Sequence, residues 1–339
     1  MVARPTLAAL VKDLFGFPSL ISSPGFFAVT APKEGNTKVT VTFSANTQAG
    51  VGSLAAYSKG QTVDFTIPQG GVLQIVSRRP SGTCTPTTTD SSGNQYCDMS
   101  GDSDLTATVI KADKEVAVFG GHNCAFVPYD KWACDHLEEQ IFPVKTWGKR
   151  YFATHTASST DPNIYRVISA DNGNKITFNP ADVHQTITLD EGKFMDITTT
   201  KDVEVTGTGR MLVVQYMVGQ NYSNLNPGEG APGDPAMSLA VAVEQYRTSY
   251  RFLAPKSYEK NFVTVVAPSN AQVNLDDVFI DESKFAPIGT TTYKAAKLAI
   301  GGGAHRISSS VAFGITNYGV GSYTSYMYPG GLDLKLLLD

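Results

Sequence analysis

A chain of 339 residues is long enough to bury two or three good cores. Only 17% of its residues are charged, 27 Lys and Arg against 31 Asp and Glu for a net charge of −4, and no basic run stands out, which argues against a nucleic-acid partner. No apolar stretch approaches the roughly 20 residues of a membrane-crossing helix, so membrane insertion by this segment is not expected. The 31 glycines, 10% aromatics and many Thr and Val predict an all-β protein with many turns and little helix.

Residues 3 to 24 read as one short strand or helical turn and a loop. LAALVKDLF has some helical periodicity, which Phe17-Pro18 soon ends. FFAVTAP (26 to 32) and TKVTVTF (37 to 43) are the first clear strands, with KEGN as a tight turn between them. In the second, Thr37, Val39, Val41 and Phe43 alternate with Lys38, Thr40 and Thr42, one face for a core and one for water. TVDFTIP (62 to 68), a Gly70-Gly71 turn and VLQIVS (72 to 77) follow. A Ser-, Thr- and Gly-rich loop then runs from Arg78 to Ser103, before LTATVIKA and EVAVFGG close the module.

The plan then repeats. NIYRVISA (163 to 170) and KITFN (175 to 179) flank Asp171-Asn172-Gly173-Asn174, which reads as a hairpin through Asn-Gly. QTITLDEGKFMDITT matches TVDFTIPQGGVLQIVS, and VEVTG and RMLVVQYMV finish the second module. In the third, NFVTVVAP (261 to 268) echoes FFAVTAP, and Gly301-Gly302-Gly303 leads into AHRISS as Gly70 leads into VLQIVS and Glu191-Gly192 into FMDITT. Glu139-Gln140 and Glu244-Gln245 repeat at a spacing of 105 residues (244 − 139), the size of a domain. The expectation is a tandem array of three related β-sandwich modules at 1–138, 139–243 and 244–339.

Four cysteines fall at 84, 97, 124 and 134 as two close pairs inside loops. Loop economy favours disulfides Cys84 with Cys97 and Cys124 with Cys134, with free thiols or a metal site as the alternatives. Disulfides imply export. The amino terminus lacks an apolar region followed by a small-residue cleavage site, so the chain reads as a piece of a longer exported protein.

For chemistry the sequence offers little: no nucleophile elbow, phosphate loop or dinucleotide fingerprint. Asp135-His136 beside Glu138-Glu139 reads as a polar joint, and Asp98, Asp102 and Asp104 as a solvated loop rather than a calcium site. Hence no catalytic residue, metal or cofactor is expected. The candidate binding residues are Tyr318, Tyr323, Tyr326 and Tyr328, set among Gly and Ser, with Tyr129 and Trp132 in the first module and Tyr222 in the second. Tyrosine offers large amphipathic area at low entropic cost; the alternative is that these rings pack on neighbouring strands. Two rival classes are a β-sandwich carbohydrate-active enzyme, with Asp276-Asp277 and Asp281-Glu282 as its acids, and a purely architectural surface spacer.

The runs CDHLEEQIFPVKTWGKRYF, GDPAMSLAVAVEQYRTSYRFLAP and GGGAHRISSSVAFGITNYGVGSYTSYMYPGG resemble the amino-terminal region of IgGFc-binding proteins and of the bacterial cell-surface proteins that share it. The resemblance implies a secreted or surface-displayed, non-enzymatic binding or adhesion segment, with antibody Fc and mucus components as the partners of the mucosal animal members. The partner class implied here is an extracellular protein, glycoprotein or glycan. Gly233-Asp234-Pro235-Ala236 has Ala where the self-cleaving motif of related mucus proteins has His, so it reads as a loop entering a strand.

Overall fold

The computed structural model describes residues 8–12, 18–52, 54–79, 85, 88–90, 93–98, 103–223 and 233–337. The chain divides into two compact units, Met1–Ile141 and Phe142–Asp339. It is all-β: the described residues contain no α-helix, and helical geometry is confined to single 3-10 turns.

The first unit holds β1 (Ala8–Lys12), β2 (Pro18–Ser22), β3 (Gly25–Thr30), β4 (Asn36–Thr42), β5 (Thr62–Pro68), β6 (Val72–Val76), β7 (Thr88–Thr89), β8 (Gln95–Cys97), β9 (Val109–Ala112), β10 (Ala117–Phe126) and β11 (Cys134–Gln140). The periodicity of LAALVKDLF does not yield a helix. Too short before Phe17-Pro18 to be stable as a helix alone, the run has its described part, Ala8–Lys12, in β1, which pairs with β2 and β8. Sheet β11-β10-β3-β6 faces sheet β5-β4-β9 across a core of Phe27, Val29, Val39, Val41, Phe43 and Ile75. Strand β4 shows why: Thr37, Val39 and Val41 point into the core, while outward-facing Lys38 and Thr40 both reach Asp64, at 2.8 and 2.6 Å.

The second unit runs through β12 (Arg150–Ala153), β13 (Asn163–Ser169), β14 (Asn174–Asn179), β15 (Ile187–Leu189), β16 (Phe194–Thr199), β17 (Val203–Gly207), β18 (Met211–Met217), β19 (Ala236–Leu239), β20 (Arg247–Ala254), β21 (Lys260–Pro268), β22 (Val273–Leu275), β23 (Val278–Phe279), β24 (Phe285–Pro287), β25 (Tyr293–Ile300), β26 (Gly303–Gly321) and β27 (Thr324–Pro329). Sheets β12-β17-β14-β15 and β16-β13-β18-β19 enclose one core, around Tyr165, Val167, Ile176, Val205 and Val213. The remaining strands enclose another, around Phe252, Val263, Val265, Ile307 and Phe313. Here β26, 19 residues long, serves both layers: its first half pairs with β20 and β22, its second with β21 and β27.

One pairing order therefore recurs three times, as β11-β10-β3-β6, β19-β18-β13-β16 and β27-β26-β21-β25, each opposite a second sheet built around β4, β14 or β22. This order corrects three local readings. First, β3 and β4 do not pair, nor do β13 and β14, although KEGN and Asn172-Gly173 separate them. These are corners that carry the chain from one layer to the other. Asn172-Gly173 supplies the left-handed residue (Gly173, φ 63°), but its flanking strands present their apolar sides face to face across the core instead of edge to edge. The corner is held by Asp171, which accepts the Arg210 amide at 2.7 Å and its guanidinium at 2.7 Å.

Second, the counterpart of VLQIVS and FMDITT in the third sandwich is β25, not AHRISS. Ala31 N bonds Gly71 O and Ser169 N bonds Lys193 O; the matching bond is Ser269 N to Thr292 O, at the turn that holds Gly289 (φ 53°). Gly301–Gly303 instead joins β25 to β26.

Third, the Glu-Gln echo is not a structural one. Glu139-Gln140 ends β11, whereas Glu244-Gln245 lies in a 3-10 turn, Val243–Gln245. The repeat that the structure holds is a tyrosine corner, 99 residues apart (250 − 151). Tyr151 Oη accepts from Gly148 N at 3.0 Å and donates to Met211 O at 2.6 Å. Tyr250 Oη accepts from Arg247 N at 2.9 Å and donates to Phe313 O. Each buried phenol thus satisfies two otherwise orphaned backbone groups next to a 3-10 turn.

Within this unit the two sandwiches are fused. Phe152 and Val241 pack with Val266, Ile288 and Ala295; Met217 and Ala236 pack with Phe262, Tyr318 and Met327. Gln245, 1% exposed, donates to Thr146 O and Lys335 O and accepts from Lys335 N, so the segment after β27 is strapped across the 3-10 turns Val144–Thr146 and Val243–Gln245.

Candidate functional site

The β26–β27 hairpin carries four of the candidate tyrosines, and strand alternation separates them. Tyr318 is fully buried, stacked on Phe262 at 5.2 Å, with its hydroxyl accepting from Ala157 N at 2.9 Å. This corrects its assignment as a binding residue. It faces the neighbouring sandwich because residue 318 of β26 lies opposite Met327, the inward member of Tyr326-Met327-Tyr328. Tyr326 and Tyr328 point the other way and are half-buried, their rings stacked at 5.9 Å, and Tyr258 meets Tyr326 edge-on at 4.7 Å.

These two rings are fixed by their hydroxyls. Tyr326 Oη donates to Asn261 Oδ1 at 2.7 Å, and Tyr328 Oη donates to Leu253 O at 2.7 Å. Burial pushes both phenols above their usual range, so they stay neutral donors at any physiological pH. Tyr323, at the hairpin tip with φ 52°, is exposed, and its amide donates to Gln220 Oε1 at 2.9 Å.

Gln220 belongs to a second feature that the sequence did not disclose, a polar cleft at the ends of β13 and β18. Residues 156–163 (apart from Ala157 and Thr160) form one wall, with Met217–Gln220 and Gly233 opposite, around about 330 Å³ of space counting the open mouth. Asn163 organises the first wall: its Oδ1 accepts from Thr156 N at 2.8 Å and its Nδ2 donates to Tyr216 O at 3.1 Å. His155 Nε2 lies 2.8 Å from Asp161 O, and burial lowers its pKa. The walls come from three separate loops with no shared motif. The only signal in the sequence was that TASSTDPN and GQN, both rich in hydroxyl and amide side chains, end apolar strands.

In the first unit Tyr129 and Trp132 are half-buried against Tyr96 and Phe126, inside the loop closed by the Cys124–Cys134 disulfide (Cα–Cα 5.1 Å). Cys97 is also disulfide-bonded; Cys84, its expected partner, lies outside the described residues. Tyr222 is half-buried. Asp102 of the acidic loop is likewise outside the described residues, and Asp104 accepts from Thr106 N in a local turn.

The acids considered for catalysis have other employment. Asp276 accepts from Arg306 N at 2.9 Å and lies 2.7 Å from His305 Nδ1, Asp281 caps a 3-10 turn, and Glu282 pairs with Lys294 at 2.7 Å. His136 and Glu138 are exposed and 3.4 Å apart, while burial pushes the Glu139 carboxyl up to about 7. No group of three or more His, Cys, Asp or Glu side chains among the described residues is placed to hold a metal ion. No helix among them is long and apolar enough to cross a membrane.

A family model described as IgGFc binding protein matches residues 10–319. The human protein named IgGFc-binding protein is 33% identical over 76 residues, which is 22% of this chain and 1% of that relative's length. An anti-sigma factor domain-containing protein from Clostridium clariflavum, of known structure, aligns over 88% of this chain and 99% of its own at 10% identity; its TM-score of 0.16 carries no argument about the fold. With nearly its whole length matched by the family model, the chain belongs to the IgGFc-binding protein family.

Proposed function

We propose that this chain is a non-enzymatic extracellular binding segment of a longer exported protein, made of three related sandwiches with boundaries near 138/139 and 243/244. Its partner is an extracellular protein or glycoprotein, met at the hairpin edge that carries Tyr323, Tyr326 and Tyr328, with Tyr129 and Trp132 as a further aromatic contact on the first unit. The observation that carries this reading is the row Tyr258, Tyr326 and Tyr328: three touching phenols, two of them locked by hydrogen bonds to Asn261 and Leu253. Rings fixed before binding offer apolar area and polar rims at little entropic cost. The family membership supports a binding role, and the Cys124–Cys134 disulfide supports an oxidising, extracellular location.

The test is capture by the oxidised chain from a panel of purified extracellular glycoproteins that includes antibody Fc, alongside a Tyr323→Ala/Tyr326→Ala variant. Specific capture that the variant loses, at a temperature where it remains folded, supports the hairpin edge. Equal capture by both proteins moves the contact off the hairpin edge, and none by either moves the assignment to the architectural spacer.

A further inference from the structure

We infer that the polar cleft between residues 156–163 and Met217–Gln220 is a binding site for a neutral sugar ring. This rests on the reading of the chain as a binding segment and gives that segment a second, small-molecule contact.

Three groups of the cleft have hydrogen-bonding capacity that the protein leaves open. Gln220 is only 7% exposed; its Oε1 takes the Tyr323 amide, and its Nε2 has no acceptor among the described residues. Ser158 Oγ is buried without any hydrogen-bond partner. Asp161 uses one carboxylate oxygen for the Ser223 hydroxyl and leaves the other without a protein donor. A ligand that supplies the missing partners pairs groups that the described residues leave open.

The chemistry of the walls selects the ligand. An amide donor, a hydroxyl and a carboxylate acceptor within one cleft suit a group that both donates and accepts, which is what each sugar hydroxyl does. Pro162, Met217 and Val218 add apolar surface for the C–H face of a ring. Among the described residues Asp161 lines the cleft and no Lys or Arg does, so phosphates and carboxylated sugars meet repulsion with no compensating cation there. A divalent cation finds one lining carboxylate, where oxygen-ligand sites use several. Most of the space belongs to the open mouth, so the cleft is shallow and would take the edge of one ring rather than a chain.

The experiment is ligand-observed NMR titration of the oxidised full chain with free galactose, mannose, fucose and N-acetylglucosamine, against glucuronic and sialic acids. At least one neutral sugar is expected to bind saturably and no acidic one to match it. Ser158→Ala removes a hydroxyl that bonds nothing in the protein, and Asp161→Asn removes the charge; each is expected to weaken binding roughly three- to tenfold, with the melting temperature unchanged for Ser158→Ala. No neutral sugar binding, an acidic sugar binding as well or better, or unaltered affinity in both variants overturns the assignment. Sugar binding lost while glycoprotein capture by the tyrosine edge persists overturns the cleft alone; the reverse pattern overturns the edge alone.

Discussion

A Cβ added to Gly319 would lie 2.4 Å from Cε1 of Tyr326, its partner across the β26–β27 pair. The glycine is thus the floor on which the phenol rests, and the missing side chain is what lets the ring lie flat over the sheet. Gly319→Ala is expected to lift Tyr326 off Asn261, with a cost of about 1–3 kcal/mol from overpacking. Differential scanning calorimetry reads the lowered transition. An unchanged melting temperature would mean that the ring relaxes without loss and is not held as described.

The two tyrosine corners allow a matched pair of tests. Tyr151→Phe strands Gly148 N and Met211 O, and Tyr250→Phe strands Arg247 N and Phe313 O. Each substitution keeps the ring and is expected to cost about 1–3 kcal/mol, seen as a shifted denaturant midpoint with the slope preserved. If one variant is neutral, that corner is packed rather than pinned.

His305 carries a pH-dependent latch. Its Nδ1 lies 2.7 Å from Asp276 Oδ2 and its Nε2 2.9 Å from Gly301 O. Both neighbours are acceptors, so only the imidazolium satisfies both. Burial opposes the charge, but the Asp276 hydrogen bond, the Gly301 carbonyl and the Asp276 charge outweigh it and raise the pKa above its ordinary 6.5. A raised folded-state pKa gives stability that is full below 6.5 and is lost as pH climbs through the folded value. His155, lowered by burial, works in the opposite sense and loses its contribution as pH falls. Melting temperatures of wild type and His305→Gln across about pH 5.5 to 8.5 should therefore converge at the alkaline end. Parallel curves would show that the latch contributes nothing.

Reduction should act locally in the first unit. The Cys124–Cys134 bond closes a loop of sequence separation 10 that holds Trp132 against Phe126, with ring centroids 5.6 Å apart. Opening a loop of this kind costs about 2–4 kcal/mol. Because the other tryptophan, Trp147, is buried in the second unit, a red shift in tryptophan emission at low thiol concentration reports on Trp132. Emission unchanged after complete reduction would contradict this arrangement.

Much of the fold was legible in alternation. Thr37, Val39 and Val41 announced β4; the same alternation in Tyr326-Met327-Tyr328, which puts the two rings on one face, was there to be read but was not used, since a strand turns successive side chains to opposite sides. Tyr318 was not legible, because its fate depends on a sandwich encoded well before it in the chain, through Ala157, 161 residues earlier, and Met217. Local turn chemistry misled in the same way: Asn172-Gly173 specifies a left-handed residue but not whether the flanking strands meet by edge or by face. Two-residue coincidences such as Glu-Gln carry no weight against hydrogen bonds such as those of Tyr151 and Tyr250, which bind positions distant in sequence. The cleft had no motif because Asn163, Gln220 and Gly233 converge only after the strands between them have paired.

The seam in the second unit limits how such chains can be rearranged. Tyr318 bonds Ala157, Gln245 bonds Thr146, and Lys297 pairs with Asp202 at 2.8 Å, each joining residues on opposite sides of the proposed 243/244 boundary. Cutting there would leave Phe262, Val266 and Ile288 facing water on one fragment and Phe152 and Met217 on the other. Recombination that transfers only one of these two sandwiches therefore yields sticky, poorly soluble fragments, whereas transfer of the pair carries its own seal.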